Sequence, residues 1–424
     1  MSDPLSTTAF RELTHFGGLD WAKESHQCTV VDRAGVIVLD LAFAHSAEGW
    51  ASFREKISVF PKLAVAIETS CGPAVEQVLA LNLPVYPLNP KAAQRYRDRK
   101  RPDGSKSDPI DAWSFADALR TDGHAWRVLR PMDALTMELR LLCRDEIVLI
   151  EQRTALVNQL QATLHEYYPI VLKAFDDWTA AWTWKFVIAF PTPQELAKAG
   201  KRRWEKFLHT HKLYRPLTAQ KRLEFFAQAM DFTNPNPAVT AAKSFLAVTL
   251  AEQLLTLEGR LEKYRARINQ LFAEHPDHDL FGSLPGAGEK LAPRLLGEIG
   301  ADRELFASVE GLQSYAGVAP VTRKSGKSRW VSIRRACNKV LRATMHLWAS
   351  LSIPQCAWAA AYYQRKKECG MGHAAALRCL GNRWLKIVWR LWQEGTPYDE
   401  ARHTLDQVRH GSWVVKLLPQ PAKA

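Results

Sequence analysis

The sequence has few cysteines, and none is placed to build a site. Seven occur in 424 residues, at positions 28, 71, 143, 337, 356, 369 and 379, with no C-x-x-C pair and no histidine pattern alongside that would suit zinc. That argues against a zinc module or a disulfide framework and predicts reduced thiols, mostly buried. No basic opening stretch leads into an apolar segment, and no apolar run reaches about 18 residues. Neither a secretory leader nor a membrane span is therefore expected, which places the protein in the cytoplasm. Carboxylates are in deficit as well: 44 Asp and Glu against 57 Lys and Arg give a formal charge of +13 and a pI near 9.4. A balance of this sign favours polyanionic partners such as DNA and RNA.

What is present supports packed structure throughout. Hydrophobic residues make up 47% of the chain, with fifteen Trp and seventeen Phe, and the length suggests two or three domains. The first segment alternates short β-rich runs with turn signals: Phe16 to Asp20, Cys28 to Asp32, a turn at Arg33-Ala34-Gly35, and Val36 to Ala42. A helix over Ser46 to Ile57, a strand from Leu63 to Glu68, a helix from Pro73 to Leu81, a strand from Val85 to Leu88 and a helix from Pro90 follow. The order βββαβαβα is that of a ribonuclease H-like (RuvC-like) mixed sheet, in which carboxylates converge at one end of the sheet.

Two runs with apolar residues at helical spacing come next, Ala134 to Tyr168 and Phe245 to Phe272. Their imperfect heptads suit an antiparallel hairpin within one chain and a coiled coil between chains equally. A Trp-rich insertion, Trp178 to Asn236, separates them, with basic clusters such as Lys201-Arg202-Arg203. Leu284-Pro285-Gly286-Ala287-Gly288, followed by a helical run to Ile299, is like the hairpin of a helix-hairpin-helix element, whose glycines let backbone amides approach a phosphate. The same residues also suit a plain tight turn. The stretch from Asn338 to about Ala401 reads as helices. The expected domains are 14–133 (ribonuclease H-like), 134–275 (coiled-coil linker with the insertion) and 276–402 (helical, carrying a serine), with a tail at 403–424.

Four carboxylates fall where such a fold needs them. Asp20 ends the first strand and Glu68 the fourth, while Asp108 and Asp111 stand three apart in Lys106-Ser107-Asp108-Pro109-Ile110-Asp111-Ala112. Pro109 fits a first helical turn, so Asp108 is expected as the helix cap, with Asp111 in the first turn and both facing outward. Four carboxylates meeting at a sheet end repel one another unless divalent cations intervene, and Mg²⁺, or Mn²⁺ in its place, prefers such hard oxygens. Two ions of this kind suit in-line phosphodiester chemistry. Arg97, Arg99, Lys100, Arg101 and Lys106, between Glu68 and Asp108, suit a nucleic-acid backbone.

Farther on, Thr322-Arg323-Lys324-Ser325-Gly326-Lys327-Ser328-Arg329 places a serine-glycine pair among four cations. Read alone it is a flexible basic loop; the cations suit a scissile phosphate, and a serine nucleophile requires such activation. Ser328 and Ser332 are the competing hydroxyls.

Taken together, Gly18-Leu19-Asp20, Ala66-Ile67-Glu68-Thr69-Ser70, Lys106 to Ala112, Leu284 to Gly288, and Tyr315-Ala316-Gly317-Val318-Ala319-Pro320 leading to Ser325-Gly326 resemble the DEDD transposases of bacterial insertion sequences, the group that includes bridge-RNA-guided serine recombinases. The resemblance covers about residues 14 to 400. It implies a RuvC-like domain, a coiled-coil linker and a helical transposase domain, with Asp20, Glu68, Asp108 and Asp111 as the Mg²⁺ tetrad and Ser325 as the nucleophile that joins DNA covalently. It further implies donor and target DNA and a noncoding bridge RNA as partners, Gly286, Gly288, Arg323, Lys324, Lys327 and Arg329 on nucleic acid, and a homo-oligomer in which dimers assemble to a tetramer. A RuvC-like metal-dependent endonuclease with no covalent intermediate is the alternative, and a nucleic-acid scaffold with a decayed acidic site is a third reading.

Overall fold

The computed structural model describes residues 7–100, 103–104, 107–231 and 233–414. The chain divides into two compact units, Met1–Pro131 and Met132–Ala424.

In the first unit, strands β1 (His15–Trp21), β2 (Ser25–Asp32), β3 (Ile37–Ala44), β4 (Leu63–Ile67) and β5 (Val85–Pro87) form one mixed sheet in the order β3-β2-β1-β4-β5. The first three are an antiparallel meander; β4 and β5 join β1 in parallel. This is the expected ribonuclease H-like sheet. Ser46 caps the helix Ala47–Ile57, its side chain accepting from the Gly49 amide at 3.1 Å. Side-chain alternation divides the core between the two faces. Leu19, Val65 and Ile67 pack with Phe53 and Trp50 on one side, and Phe16, Ala64 and Ala66 pack with Phe115 and Leu119 of the helix Asp108–Asp122 on the other. All five residues of β4 are buried, as a central strand covered on both faces requires.

Among the described residues, the second unit is helical apart from one hairpin. Helices Ala134–Tyr167 and Pro237–Glu274 run antiparallel, so the intrachain hairpin is the arrangement found. Two apolar cores lie along the pair. One gathers Val157, Leu160, Leu250 and Leu254 with the insertion, whose Trp178, Trp184 and Trp204 are buried and donate their indole N–H to backbone carbonyls at 2.7–3.1 Å. The Trp-rich insertion is thus a packed core in its own right. The other core gathers Leu139, Cys143, Ile268 and Leu271 with the C-terminal helices, where Trp348, Trp358, Trp384 and Trp392 are fully buried. Each of those four has a partner: the carbonyls of Pro285 and Gly300, the Tyr398 hydroxyl and Ser352 Oγ. Between the cores lies a charged seam, in which Glu258 binds Arg153 (2.7 Å) and Arg265 (2.9 Å) while Glu146 binds Arg265 (3.3 Å) and Arg294 (2.7 Å).

Two expectations need correction. Helix Pro237–Glu274 does contain a stretch long and apolar enough to cross a membrane by length and composition. Ala247, Leu250, Ala251 and Leu254 of this helix are buried in the insertion core, and about a third of the apolar stretch is buried. All seven cysteines are free thiols, but only Cys28, Cys143 and Cys356 are buried; burial pushes those thiols up to about 12, 12 and 11.

Candidate active site

Two of the four carboxylates lie at the ends of neighbouring parallel strands. In the parallel pairing of β1 with β4 the last pair is Leu19 with Ile67; Asp20 follows within β1, while Glu68 is the first residue beyond β4, in a bend rather than at the strand end expected for it. Alternation from Gly18 turns Asp20 toward the face covered by the helix Asp108–Asp122. That helix lies directly on β1: a Cβ on Gly18 would stand 2.0 Å from the Ala112 carbonyl oxygen and 2.5 Å from the Ala116 nitrogen. Glycine is needed there for close approach, and the helix's first turn, with Asp108 and Asp111, immediately precedes the residues that make that contact.

The helix start differs from expectation. Ser107, not Asp108, occupies the cap position, with Asp108 and Pro109 as the first helical residues. The two carboxylates also do not both face outward: Asp108 is exposed, whereas Asp111 is 2% exposed. Both Asp111 oxygens accept from Arg97 Nη1, at 2.5 and 2.6 Å. Arg97, read from the sequence as a backbone-binding cation, is turned inward from the helix Pro90–Lys100 onto the acidic site. Arg99 is exposed beside Asp122 at 3.6 Å; Arg101, Lys106 and the Lys100 side chain lie outside the described residues.

By donor chemistry the set suits a hard divalent ion, four carboxylates on elements that meet at one sheet end. Among the described residues, however, no three His, Cys, Asp or Glu side chains group closely enough to hold one. The guanidinium of Arg97 instead supplies the positive charge at Asp111.

Ser325 belongs to a different construction. Residues expected as a loop form a two-stranded antiparallel ribbon, β6 (Val321–Ser325) and β7 (Ser328–Ser332), joined by Gly326-Lys327. Gly326 has φ +55°, the left-handed value that a two-residue hairpin turn with glycine in first place requires. Ser325 and Ser328 are paired at the tip and exposed, and Arg323, Lys324, Lys327 and Arg329 surround them, all exposed. Ser332 sits at the base, half-buried, its hydroxyl donating to the Val321 carbonyl at 3.5 Å. Just after the ribbon, Asn338 donates to the Tyr315 hydroxyl at 2.8 Å and to Glu298 at 2.5 Å. Glu298 is 1% exposed and also accepts two bonds from Arg144, at 2.7 and 2.9 Å.

The Leu284–Gly288 turn connects helices His278–Gly282 and Gly288–Ile299. Gly286 (φ +77°) faces inward, where a Cβ would meet the Leu351 carbonyl at 2.6 Å, while Gly288 (φ +53°) has open space beside it. Of the two, Gly288 is the one a phosphate could approach.

Sequence comparison sets these sites in a family. A DEDD-type transposase model of IS110 elements matches residues 17–169, the span of all four carboxylates, and a model described as Transposase IS116/IS110/IS902 family matches residues 278–364, the span of the ribbon. A mini-circle putative transposase for IS117 from Streptomyces coelicolor is 33% identical over 400 residues, covering 92% of this chain and 96% of the relative. The chain belongs to the IS110/IS116 transposase family. The transposase is likewise similar to an IS110 insertion-element protein of Streptomyces coelicolor (28% identity over 91% of this chain and 95% of the relative) and to an IS900 protein of Mycobacterium paratuberculosis (26% over 92% and 98%). It is accordingly a DNA-acting enzyme of transposition, and its DEDD-type domain implies a divalent metal ion.

Sequence reading missed the Arg97–Asp111 pair, because neither residue's spacing reveals an inward turn of an otherwise basic helix. It also missed the ribbon, although two residues containing Gly between β-prone runs are a recognised hairpin signal.

Proposed function

We propose that this transposase moves its insertion sequence by cutting and rejoining DNA with two elements, a Mg²⁺ site on Asp20, Glu68, Asp108 and Asp111 and a nucleophilic Ser325. The observation that carries the reading is the ribbon tip: an exposed serine beside a glycine turn, among four exposed cations and with no carboxylate in either strand. Such a tip can take a phosphodiester between its guanidinium and ammonium groups and offset the charge that grows on the phosphate oxygens. Ser325 Oγ forms the bond to phosphorus as its proton leaves; the bond to one sugar oxygen breaks, and that oxygen takes up a proton. The same steps reversed onto a second DNA end complete the exchange. A divalent ion, if held by Asp20, Glu68, Asp108 and Asp111, would supply Lewis acidity to the phosphate. For Asp111 to join that site, Arg97 has to release it.

Guidance by a noncoding bridge RNA, a homo-oligomer of dimers assembled to a tetramer, and action on nucleoid DNA in the bacterial cytoplasm are part of this reading. They rest on the resemblance and on the net charge of +13, which suits two nucleic-acid partners.

The test is to incubate the protein with Mg²⁺, element-end DNA and the adjacent noncoding RNA, and to resolve covalent protein–DNA species on a denaturing gel for wild type, Ser325→Ala, Ser328→Ala and Asp108→Ala. An adduct present in wild type and Ser328→Ala and absent from the other two is expected. Cleavage without adduct that survives Ser325→Ala would make the protein a metal-only nuclease of the RuvC type, and loss in Ser328→Ala alone would transfer the nucleophile to Ser328.

A further inference from the structure

Between Glu310 and Glu368 the chain has no carboxylate, while it carries eleven Lys and Arg. The β6–β7 ribbon lies within this stretch and buries almost nothing: eight of its ten side chains are exposed, with Val321 and Ser332 half-buried. Two-stranded hairpins are marginal in water, and like charges directly opposite weaken them further. Here Lys324 is opposite Arg329. Trp330 (56% exposed) and Val331 (58%) add apolar surface to the solvent side. A ribbon that is unfavourable alone, made of cations around one large flat aromatic, has the composition of a surface that stacks on bases between phosphate contacts.

The register says where that aromatic points. Ser325 pairs with Ser328, and Arg323 pairs with Trp330. Side chains alternate between faces, so Arg323, Ser325, Ser328 and Trp330 share one face while Lys324 and Arg329 share the other. Trp330 and Ser325 are diagonal neighbours on their face, about 7–8 Å apart by strand geometry, or about two steps of 3.4 Å along a DNA strand.

We propose that Trp330 stacks on an unstacked DNA base within about two nucleotides of the bond that Ser325 attacks, with the ribbon's cations on the flanking phosphates. The location rests on the Ser325 reading; the stacking does not. Trp330 would hold the reacting strand out of the duplex stack at the point of exchange, and because every base presents a flat face it would do so with little regard to sequence.

The full-length protein with its RNA and element-end DNA tests this, using 5-iodouracil placed singly at positions on both sides of the cleaved bond. Irradiation of Ser325→Ala complexes, in which the attack is blocked, is expected to crosslink one position within two nucleotides of the bond to Trp330, as mapped by mass spectrometry. Trp330→Phe keeps a crosslink at that position. Trp330→Ala loses it and weakens DNA binding about 5- to 150-fold, the range for removing one aromatic stack, with helical circular dichroism unchanged. Crosslinks spread along both strands of an intact duplex, or affinity unchanged in Trp330→Ala, overturn the stacking role. A Trp330 crosslink with no wild-type adduct at Ser325 overturns the nucleophile and keeps the stack; an adduct without the crosslink does the reverse.

Discussion

Asp111 is 2% exposed and bonded through both oxygens to Arg97, on a helix pressed so closely to β1 that only glycine fits at position 18. Ser325 stands at the end of a ribbon with almost no packing beneath it and positive charge on both faces. Asp111 is held by the chain's own interior, whereas Ser325 is held by little beyond its partner strand. Carboxylates that repel one another need a frame that holds them in place without a ligand, since burial of an unpaired charge is costly. Under the proposed role of Ser325, a hydroxyl that meets a phosphate on a large partner would gain from an exposed support whose repelling cations relax once the partner arrives.

The contrast breaks most readily at its two glycines. Gly18→Ala should cost about 3 kcal/mol or more, because the new Cβ meets helix backbone that cannot turn aside. Gly326→Ala should cost only about 1 kcal/mol, from the left-handed backbone alone. Hydrogen exchange of the β1 and β4 amides measures the first, which should lose protection; the second should leave those amides untouched. Equal effects would mean that the ribbon is as firmly packed as the sheet.

Next in size is Arg97→Ala, which leaves Asp111 buried without its cation and should lower stability by about 2 kcal/mol or more. Millimolar Mg²⁺ should recover part of that loss in thermal melts, since an ion can then take the place of the guanidinium. No recovery would remove Asp111 from the metal site.

The smallest effect is with pH. Burial, and then the neighbouring His45 at 2.8 Å, lower His26 to about 4 from its ordinary 6.5. Between those values the unfolded chain binds more protons than the folded one, so stability is fully present above about pH 6.5 and is lost as pH falls toward 4. The ribbon carries no histidine or carboxylate. Melts from pH 7 to pH 5 should therefore show the N-terminal unit weakening, and His26→Asn should flatten the slope, while the proposed DNA contacts of Lys324 and Arg329 should not change across the same range.

The sheet was legible because its alternation and turns are local: Gly35 in the turn between β2 and β3, Ser46 before its helix, and the unbroken apolar run of β4 each announce themselves. Asp20 and Glu68 were legible only as neighbours of strand ends, since β1 runs one residue past Asp20 and β4 stops one residue short of Glu68. What escaped was which way side chains turn. Asp108 and Asp111 are three apart, yet one faces water and the other the sheet, because Ala112 and Ala116 rest on Gly18 and rotate the helix accordingly. Arg97 sat unnoticed in a run of cations, where charge alone gives no hint of an inward partner. The insertion's aromatics, too, gave no sign that Trp178, Trp184 and Trp204 would each find a carbonyl nearby.

The charged seam between the two helical cores has one more consequence. Apolar heptads by themselves would permit helices Ala134–Tyr167 and Pro237–Glu274 to slip past each other by seven residues, about 10 Å, with leucines still meeting leucines. Glu146, 3% exposed, has its guanidinium partners only at the observed setting. The pair is therefore keyed like a shaft in a slotted collar, and the spacing between the insertion and the C-terminal core is a fixed length of the machine.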